Sequence, residues 1–276
     1  MSDQFKRYYA ANQANWNERA EIHIADETGF YAIDSLLEGA NLLTPIELAE
    51  LGDISGLRVA HLQSHIGTDT LSLARMGAGE VVGIDFSPNA VAIASNLAKR
   101  TGLNAQFVEG SVYDAPQLLG TGFDLAFTSW GTICWLGDID AWASAAAGVL
   151  APGGRFYFAD THPAALIFEV AETGVLAPRY DYSSEKDAPL VFDDEYSYDG
   201  SSQKMENIRT YQWPYGISQI VTALIKAGFA IDFIHEHEAL PWQLYTIMEK
   251  HPDRLFRLPQ NHVRMPLALS IGATKE

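Results

Sequence analysis

The sequence predicts an α/β fold: a doubly wound, mostly parallel sheet with an N-terminal helical addition and a lid insertion after the fifth strand. Three observations carry this. Between residues 57 and 160, short apolar runs alternate four times with helical segments over short connections, which gives a parallel sheet covered on both faces. The second of those runs ends in a carboxylate, Asp85. Aromatic residues at near-helical spacing precede the first run.

The central unit spans residues 58–89. Leu57–Leu62 reads as a strand, a turn closes at Gly67, residues 69–76 form a helix, and Val81–Ile84 is a second strand that ends at Asp85. Such a unit, with an acidic residue at its second tip, is how an α/β domain binds a nucleoside. Turn N–H groups approach the ligand, and the carboxylate accepts hydrogen bonds from two ribose hydroxyls. Gly67 and Asp85 stand 18 positions apart, near the ~20 such a unit expects. A glycine-rich turn would carry three glycines, but Gln63 and His65 hold the first two places and only Gly67 remains. The case rests on context, and an ordinary βαβ crossover without a ligand is the alternative.

The remaining elements follow in order. Residues 5–38 read as helical, with Phe5, Tyr8, Tyr9 and Trp16 at near-helical spacing. These aromatics either cover a ligand or pack on the sheet, and such stripes are usually core. Leu48 to Gly56 is a connector broken by two glycines. After Asp85, Ser87 suits an N-cap with Pro88 at the first helical position; the helix runs to about Arg100 and Gly102 ends it. Ala105–Val108 is a third strand, residues 115–121 are a short helix or loop, and Phe123–Thr128 is a fourth strand followed by Ser129-Trp130-Gly131. Ile139–Leu150 is helical, and Ala151-Pro152-Gly153-Gly154 turns into a fifth strand, Arg155–Ala159.

Beyond Thr161-His162-Pro163 lies a segment rich in Asp, Glu, Tyr and Ser, in which Pro189–Tyr198 and Gln203–Trp213 pair as a hairpin. An insertion leaving the ligand edge suits a lid, with a solvated loop as the alternative. Gln219–Ala227 is a helix, and Ala230–Glu236 and Pro266–Thr274 are the last strands. The expected units are a helical cap over 1–56, a ligand-binding core over 57–163, the lid over 164–212 and a completion of the sheet over 213–276.

Composition bounds the function. The 276 residues can bury a sizeable core. Although 47% are hydrophobic, no apolar run approaches the ~20 residues needed to span a bilayer, so no membrane partner is expected. The polar start, Met1 to Arg7, lacks the apolar stretch of a signal peptide. One cysteine, Cys134, leaves no internal disulfide and no cysteine-built metal site, and a cytoplasmic location is expected. A formal charge of −17 argues against nucleic acid. A homodimer is compatible with the sequence.

At this point the residues resemble a family. Leu150-Ala151-Pro152-Gly153-Gly154, Gly83-Ile84-Asp85-Phe86-Ser87 and Phe123-Asp124-Leu125-Ala126-Phe127 are similar to motifs of class I S-adenosylmethionine-dependent methyltransferases, of the small-molecule, methyltransferase type 11-like bacterial subgroup. The resemblance covers roughly 57–160 and, more weakly, 213–274. It implies a Rossmann-like sheet closed by antiparallel C-terminal strands and S-adenosyl-L-methionine as cofactor. Asp85 would bind the ribose, the backbone at Gln63, His65 and Gly67 would line the methionine end, and Phe86 would pack on the adenine. Ser111 and Val112 would frame the adenine edge, and Thr128-Ser129-Trp130 would lie between cofactor and substrate. The sequence departs from the pattern at His61, Gln63 and His65, and at Ser111, where the family has an acidic residue.

The implied reaction moves a methyl group to oxygen or nitrogen of a small metabolite, aromatic or otherwise, mainly by proximity and orientation. A base is needed only where the acceptor must lose a proton. Among His162, His235, His237 and His23, His162 ranks first because it follows a strand on the ligand edge; a structural turn histidine is the alternative. His235 and His237 alternate on one strand face, as in a metal pair, but no third ligand is evident and no metal is expected. Trp130, Trp135, Tyr180, Tyr196, Tyr198 and Trp213 are candidates for an acceptor pocket, chiefly Trp130, Tyr180 and Trp213. The altered turn also admits a protein that binds S-adenosylmethionine or S-adenosylhomocysteine without methyl transfer, cyclase-like or a sensor. A nucleotide-binding dehydrogenase is disfavoured by the missing glycines.

Overall fold

In a computed structural model describing residues 3–276, the chain begins with the helices α1 (Asp3–Ala25), α2 (Ile33–Leu37) and α3 (Pro45–Glu50). The alternating core follows: β1 (Arg58–Leu62), α4 (Thr68–Arg75), β2 (Glu80–Asp85), α5 (Pro88–Thr101), β3 (Ala105–Glu109), α6 (Ala115–Leu119), β4 (Phe123–Ser129), α7 (Ile139–Val149) and β5 (Leu150–Thr161). Four short strands come next, β6 (Phe168–Val170), β7 (Leu176–Pro178), β8 (Leu190–Asp193) and β9 (Arg209–Gln212). The chain ends with α8 (Ile217–Lys226), β10 (Phe229–His237), β11 (Glu249–Lys250), β12 (Phe256–Arg257) and β13 (Ala268–Lys275). Met1 and Ser2, the start of the expected cap, lie outside the described residues.

One seven-stranded sheet runs in the order β10-β13-β5-β4-β1-β2-β3. β1 to β5 are parallel, while β13 pairs antiparallel with both β5 and β10, as the Rossmann-like expectation has it. Burial explains the apolar runs: Val59, Ala60 and Leu62 of β1 are each 0% exposed, because a central parallel strand is covered on both faces. On one face Trp142, Phe156, Phe158 and Trp213 form a cluster; on the other Ile54, Val59, Phe127 and Tyr157 do. After β3 the chain returns to the far side of β1, so the strand order reverses between β1 and β4. Ligands bind at such a switch point, beyond the carboxyl ends of the strands.

Local chemistry sets the helix ends. Ser87 caps α5 by accepting the Ala90 N–H (3.1 Å), with Pro88 at the first position and Gly102 (φ 67°) at the C-terminal end. The expected helix over 5–38 is broken: Asp26 Oδ1 and Oδ2 accept the N–H groups of Tyr31 and Ile33, which turns the chain between α1 and α2. The expected connector from Leu48 starts inside a helix, because the Glu47 carboxylate reaches back to accept the Thr44 N–H at 2.7 Å and Pro45 suits the first turn. Residues 151–154, expected as a turn ahead of the fifth strand, instead lie within β5 as an irregularity, across which the pairing with β4 shifts register between Leu150 and Arg155. The hairpin within 164–212 forms between β8 and β9, with Tyr196 bridged to Lys204. It is tied to α1, since Asn12 donates to the Tyr211 carbonyl and accepts from its N–H, both at 2.8 Å.

Candidate functional site

The turn between β1 and α4 keeps the backbone of a glycine-rich loop without its glycines. Gln63 (φ 60°), His65 (φ 48°) and Gly67 (φ 80°) are all left-handed. For the first two this conformation costs about 1–3 kcal/mol each, so their side chains must be held. Gln63 Nε2 donates to the Thr132 carbonyl at 2.9 Å. His65 Nε2 lies 2.7 Å from His23 Nδ1, and its ring packs edge-on against Trp16 at 5.1 Å. Gly67 stands behind the turn instead of facing a ligand: a Cβ there would lie 2.6 Å from Phe107 and 2.8 Å from Ala94, where α4 and α5 crowd the sheet.

Asp85, at the tip of β2, accepts the His65 N–H (2.8 Å) on one carboxylate oxygen and the Ser87 N–H (2.9 Å) on the other. Its burial pushes the pKa up to about 6, although the N–H groups of Ser87, His65 and Phe86 pull against that. Each oxygen retains acceptor capacity for a hydroxyl. Beside it, Phe86 meets Tyr9 of α1 edge-on at 5.3 Å, and Gln13 donates to the Phe86 carbonyl. Ser111 caps the short turn that buries Val112.

These residues open onto one cavity of about 560 Å³ at the β1–β4 switch point, within the ~300–1,000 Å³ range of small-molecule sites. Gln63, His65, Asp85, Phe86, Ser111, Val112, Trp130 and Trp213 line it. Its wall holds unspent polar capacity: Gln63 Oε1, Ser64 Oγ and His65 Nδ1 are buried without a partner, which is costly unless a ligand satisfies them. Among the described residues, six non-glycines have positive φ: Asp26, Ala32, Gln63, His65, Trp130 and Arg254. All but Asp26 line this cavity. Strain of this kind collects where a surrounding structure holds a site in shape.

The loop after β4 is fixed by Asp160, whose buried carboxylate accepts the N–H groups of Gly131 (2.7 Å), Thr132 (2.8 Å) and Ile133 (3.2 Å). That holds Trp130 left-handed (φ 52°) with its indole at the cavity and Nε1 unpartnered. Thr128 is fully buried behind the wall, so Ser129 and Trp130 are the strand-tip residues that reach the cavity. Cys134 also lines it, but burial and the Asp160 charge keep its thiol protonated.

Other candidates lie elsewhere. His162 Nε2 points to Glu236 (3.0 Å), while Nδ1 accepts the Ala164 N–H (3.1 Å). Both ring nitrogens are engaged, and His162 is not part of the cavity wall, so this placement does not support a base at an acceptor. Tyr180 packs on Phe192 and donates to Glu169, away from the cavity. Trp213 touches the cavity yet is 1% exposed, packed on Phe5 and Tyr8 with its Nε1 on the Lys186 carbonyl, which makes it chiefly core. The N-terminal aromatics divide: Phe5 and Tyr8 join the core, while Tyr9 and Trp16 line the cavity. His235 binds Glu50 (2.7 Å) and His237 binds Ser270 (2.9 Å). Among the described residues, no group of three or more His, Cys, Asp or Glu is placed to hold a metal ion.

Sequence reasoning missed Glu47, Asp69, Arg254 and Trp242, which also line the cavity. Only Glu47 carried a usable signal, the capping box from Thr44 that sets it on the first turn of α3.

A family model described as a methyltransferase domain matches residues 59–154. Among solved structures, a Listeria monocytogenes protein assigned to the S-adenosylmethionine-dependent methyltransferases has a TM-score of 0.59 and 20% identity, covering 83% of this chain and 95% of that one. An S-adenosylmethionine-dependent methyltransferase from Mesorhizobium loti gives 0.57 and 20%, over 87% and 100%. One from Clostridium acetobutylicum gives 0.54 and 12%, over 83% and 88%. No curated protein matches the sequence.

Proposed function

We propose that the chain is an S-adenosylmethionine-dependent methyltransferase that methylates oxygen or nitrogen of a small metabolite; in support, residues 59–154 match a methyltransferase-domain model and the chain shares the fold of such enzymes. The observation that carries the reading is Asp85, a buried carboxylate at the tip of β2 with acceptor capacity turned to the cavity, beside a turn with three orphaned polar atoms. These groups fit an adenosyl amino acid. Asp85 takes the ribose hydroxyls, Phe86 and Val112 the adenine, and Gln63, Ser64 and His65 the methionine end. When bound, S-adenosylmethionine supplies an electrophilic methyl on a sulfonium.

The protein's own contribution is placement and dryness. Asp160 fixes the loop that carries Trp130, while Tyr9 and Trp16 of α1 and Tyr198 of the insertion close the cavity from the N-terminal side. Alignment of acceptor and donor in such a site supplies much of the acceleration without an added base. The insertion over 164–212 serves as the lid in this reading. A cytoplasmic setting suits a chain with one cysteine, and the charge of −17 disfavours nucleic acid as acceptor.

Among the described residues no helix is long and apolar enough to cross a membrane. The test is incubation with methyl-labelled S-adenosylmethionine and a fractionated metabolite extract. Label should appear in a small molecule, and label that stays wholly on the donor, with tight donor binding, would leave the non-transferring alternative.

A further inference from the structure

The cavity wall also holds an acidic pair that the cofactor reading does not use. Glu47 stands on the first turn of α3 and is 1% exposed. Its Oε2 accepts the Thr44 N–H at 2.7 Å, whereas Oε1 is buried with no partner. Asp69, on the first turn of α4, lines the same cavity, acts on Glu47 through its charge and is held by the Ser129 hydroxyl at 3.2 Å. Trp130 Nε1 lies near enough to Glu47 to ease its ionisation but makes no well-formed hydrogen bond. A buried carboxylate oxygen left open toward a cavity is costly unless a donor arrives to meet it.

Arg254 and Lys250 are cations that line the cavity with the pair. Arg254 acts on Asp69 and favours its ionised form. Asp253 is already held by the two terminal guanidinium nitrogens of Arg257, at 2.9 and 2.6 Å. Lys250 is exposed and lies over the Phe256 ring. Tyr157 of β5, which also feels Glu47, donates to Glu50. Burial, and then the charge of Asp69, push the Glu47 pKa up, so the empty pair holds a proton that an incoming cation would displace. The surrounding wall, with Trp130, Trp242, Leu166 and Phe256, is apolar and largely aromatic, which suits the body of a molecule that carries that cation.

We propose that Glu47 and Asp69 are specificity residues that receive the alkylammonium group of an apolar, aromatic acceptor. This rests on the methyltransferase reading and narrows it to amine-bearing acceptors. An acceptor with a carboxylate or phosphate there would place a further negative charge beside the pair. The same chemistry exists in the α-ammonium of the cofactor, and the experiment separates the two sources.

The protein is saturated with S-adenosylhomocysteine and titrated calorimetrically with tryptamine and phenethylamine, and with 4-ethylphenol and phenylacetate as comparisons. Titration in two buffers of different ionisation enthalpy reads proton release. The amines should bind with release of up to about one proton near neutral pH, and the comparisons should bind more weakly. Glu47→Gln, which keeps an oxygen for the Thr44 N–H, should abolish the release and weaken amine binding about tenfold or more, with S-adenosylhomocysteine affinity unchanged. Asp69→Asn should weaken amine binding in the same way. The proposal is overturned if no amine binds, if the phenol or the carboxylate binds as well as the amines, or if Glu47→Gln leaves amine affinity intact. Loss of S-adenosylhomocysteine affinity in either variant also overturns it and assigns the pair to the cofactor's ammonium. Amine binding by a protein that does not bind S-adenosylhomocysteine would sustain this inference while ending the cofactor reading.

Discussion

The part of the cavity wall that includes Asp85 comes from strand tips and the turns just after them, residues 63–65, 85–86 and 111–112. The part that includes Glu47 comes from α3, the start of α4 and residues 241–256, segments that meet only in the folded chain. The first part works through backbone: N–H groups orient the Asp85 carboxylate, and left-handed residues shape the turn. The second works through side chains, chiefly two carboxylates, an indole and a guanidinium. An open parallel sheet fixes where its strand tips stand, so chemistry placed there is constrained by the fold. Chemistry on the appended segments is free to vary with the acceptor.

Breaking the backbone-built part should cost the most. Gly67→Ala places a Cβ 2.6 Å from Phe107 at φ 80°, and overpacking together with left-handed strain should destabilise the protein by about 3 kcal/mol. Denaturant unfolding checks this, and a loss below about 1 kcal/mol would mean that α4 and the sheet separate easily.

A smaller effect is expected at His65. His65→Gly relieves a left-handed side chain worth about 1 kcal/mol but removes the 2.7 Å contact with His23, whose other nitrogen meets Ser197 in the insertion at 2.7 Å. Global stability should change by less than about 1 kcal/mol, while amide exchange around residues 195–201 should quicken about fivefold as one hydrogen bond's worth of local stability is lost. Unchanged exchange there would show that the turn and the insertion are not linked through His23.

The same contrast explains what could be read in advance. The alternation of strands and helices, the Ser87-Pro88 cap and the carboxylate at Asp85 are local patterns, and each stands in the structure where the sequence puts it. The turn was legible only by position. Gln63 and His65 gave no glycine signal, yet the packing of Trp16 and His23 and the Thr132 carbonyl hold them in the glycine conformation. His162 follows the fifth strand as expected, but the antiparallel neighbour β10 brings Glu236 to its ring, a pairing that no local pattern reveals. Tyr180 is likewise drawn to Phe192 and Glu169 within the insertion. Asp69, Arg254 and Trp242 join one cavity wall through the tertiary fold alone, so this part of the wall was invisible in the sequence.

The central claim is that Asp85 grips the sugar of an adenosyl group, and calorimetric titration of S-adenosylhomocysteine into wild type and Asp85→Ala tests it most directly. The account predicts that the variant loses about 1–3 kcal/mol of binding free energy, the worth of charge-assisted hydrogen bonds. It also predicts that wild-type affinity, steady above a pH of about 6, weakens below it as protons compete with the ribose hydroxyls for the carboxylate. The variant should lack that dependence. Equal affinity in both proteins, or binding of NAD in place of S-adenosylhomocysteine, would contradict the account.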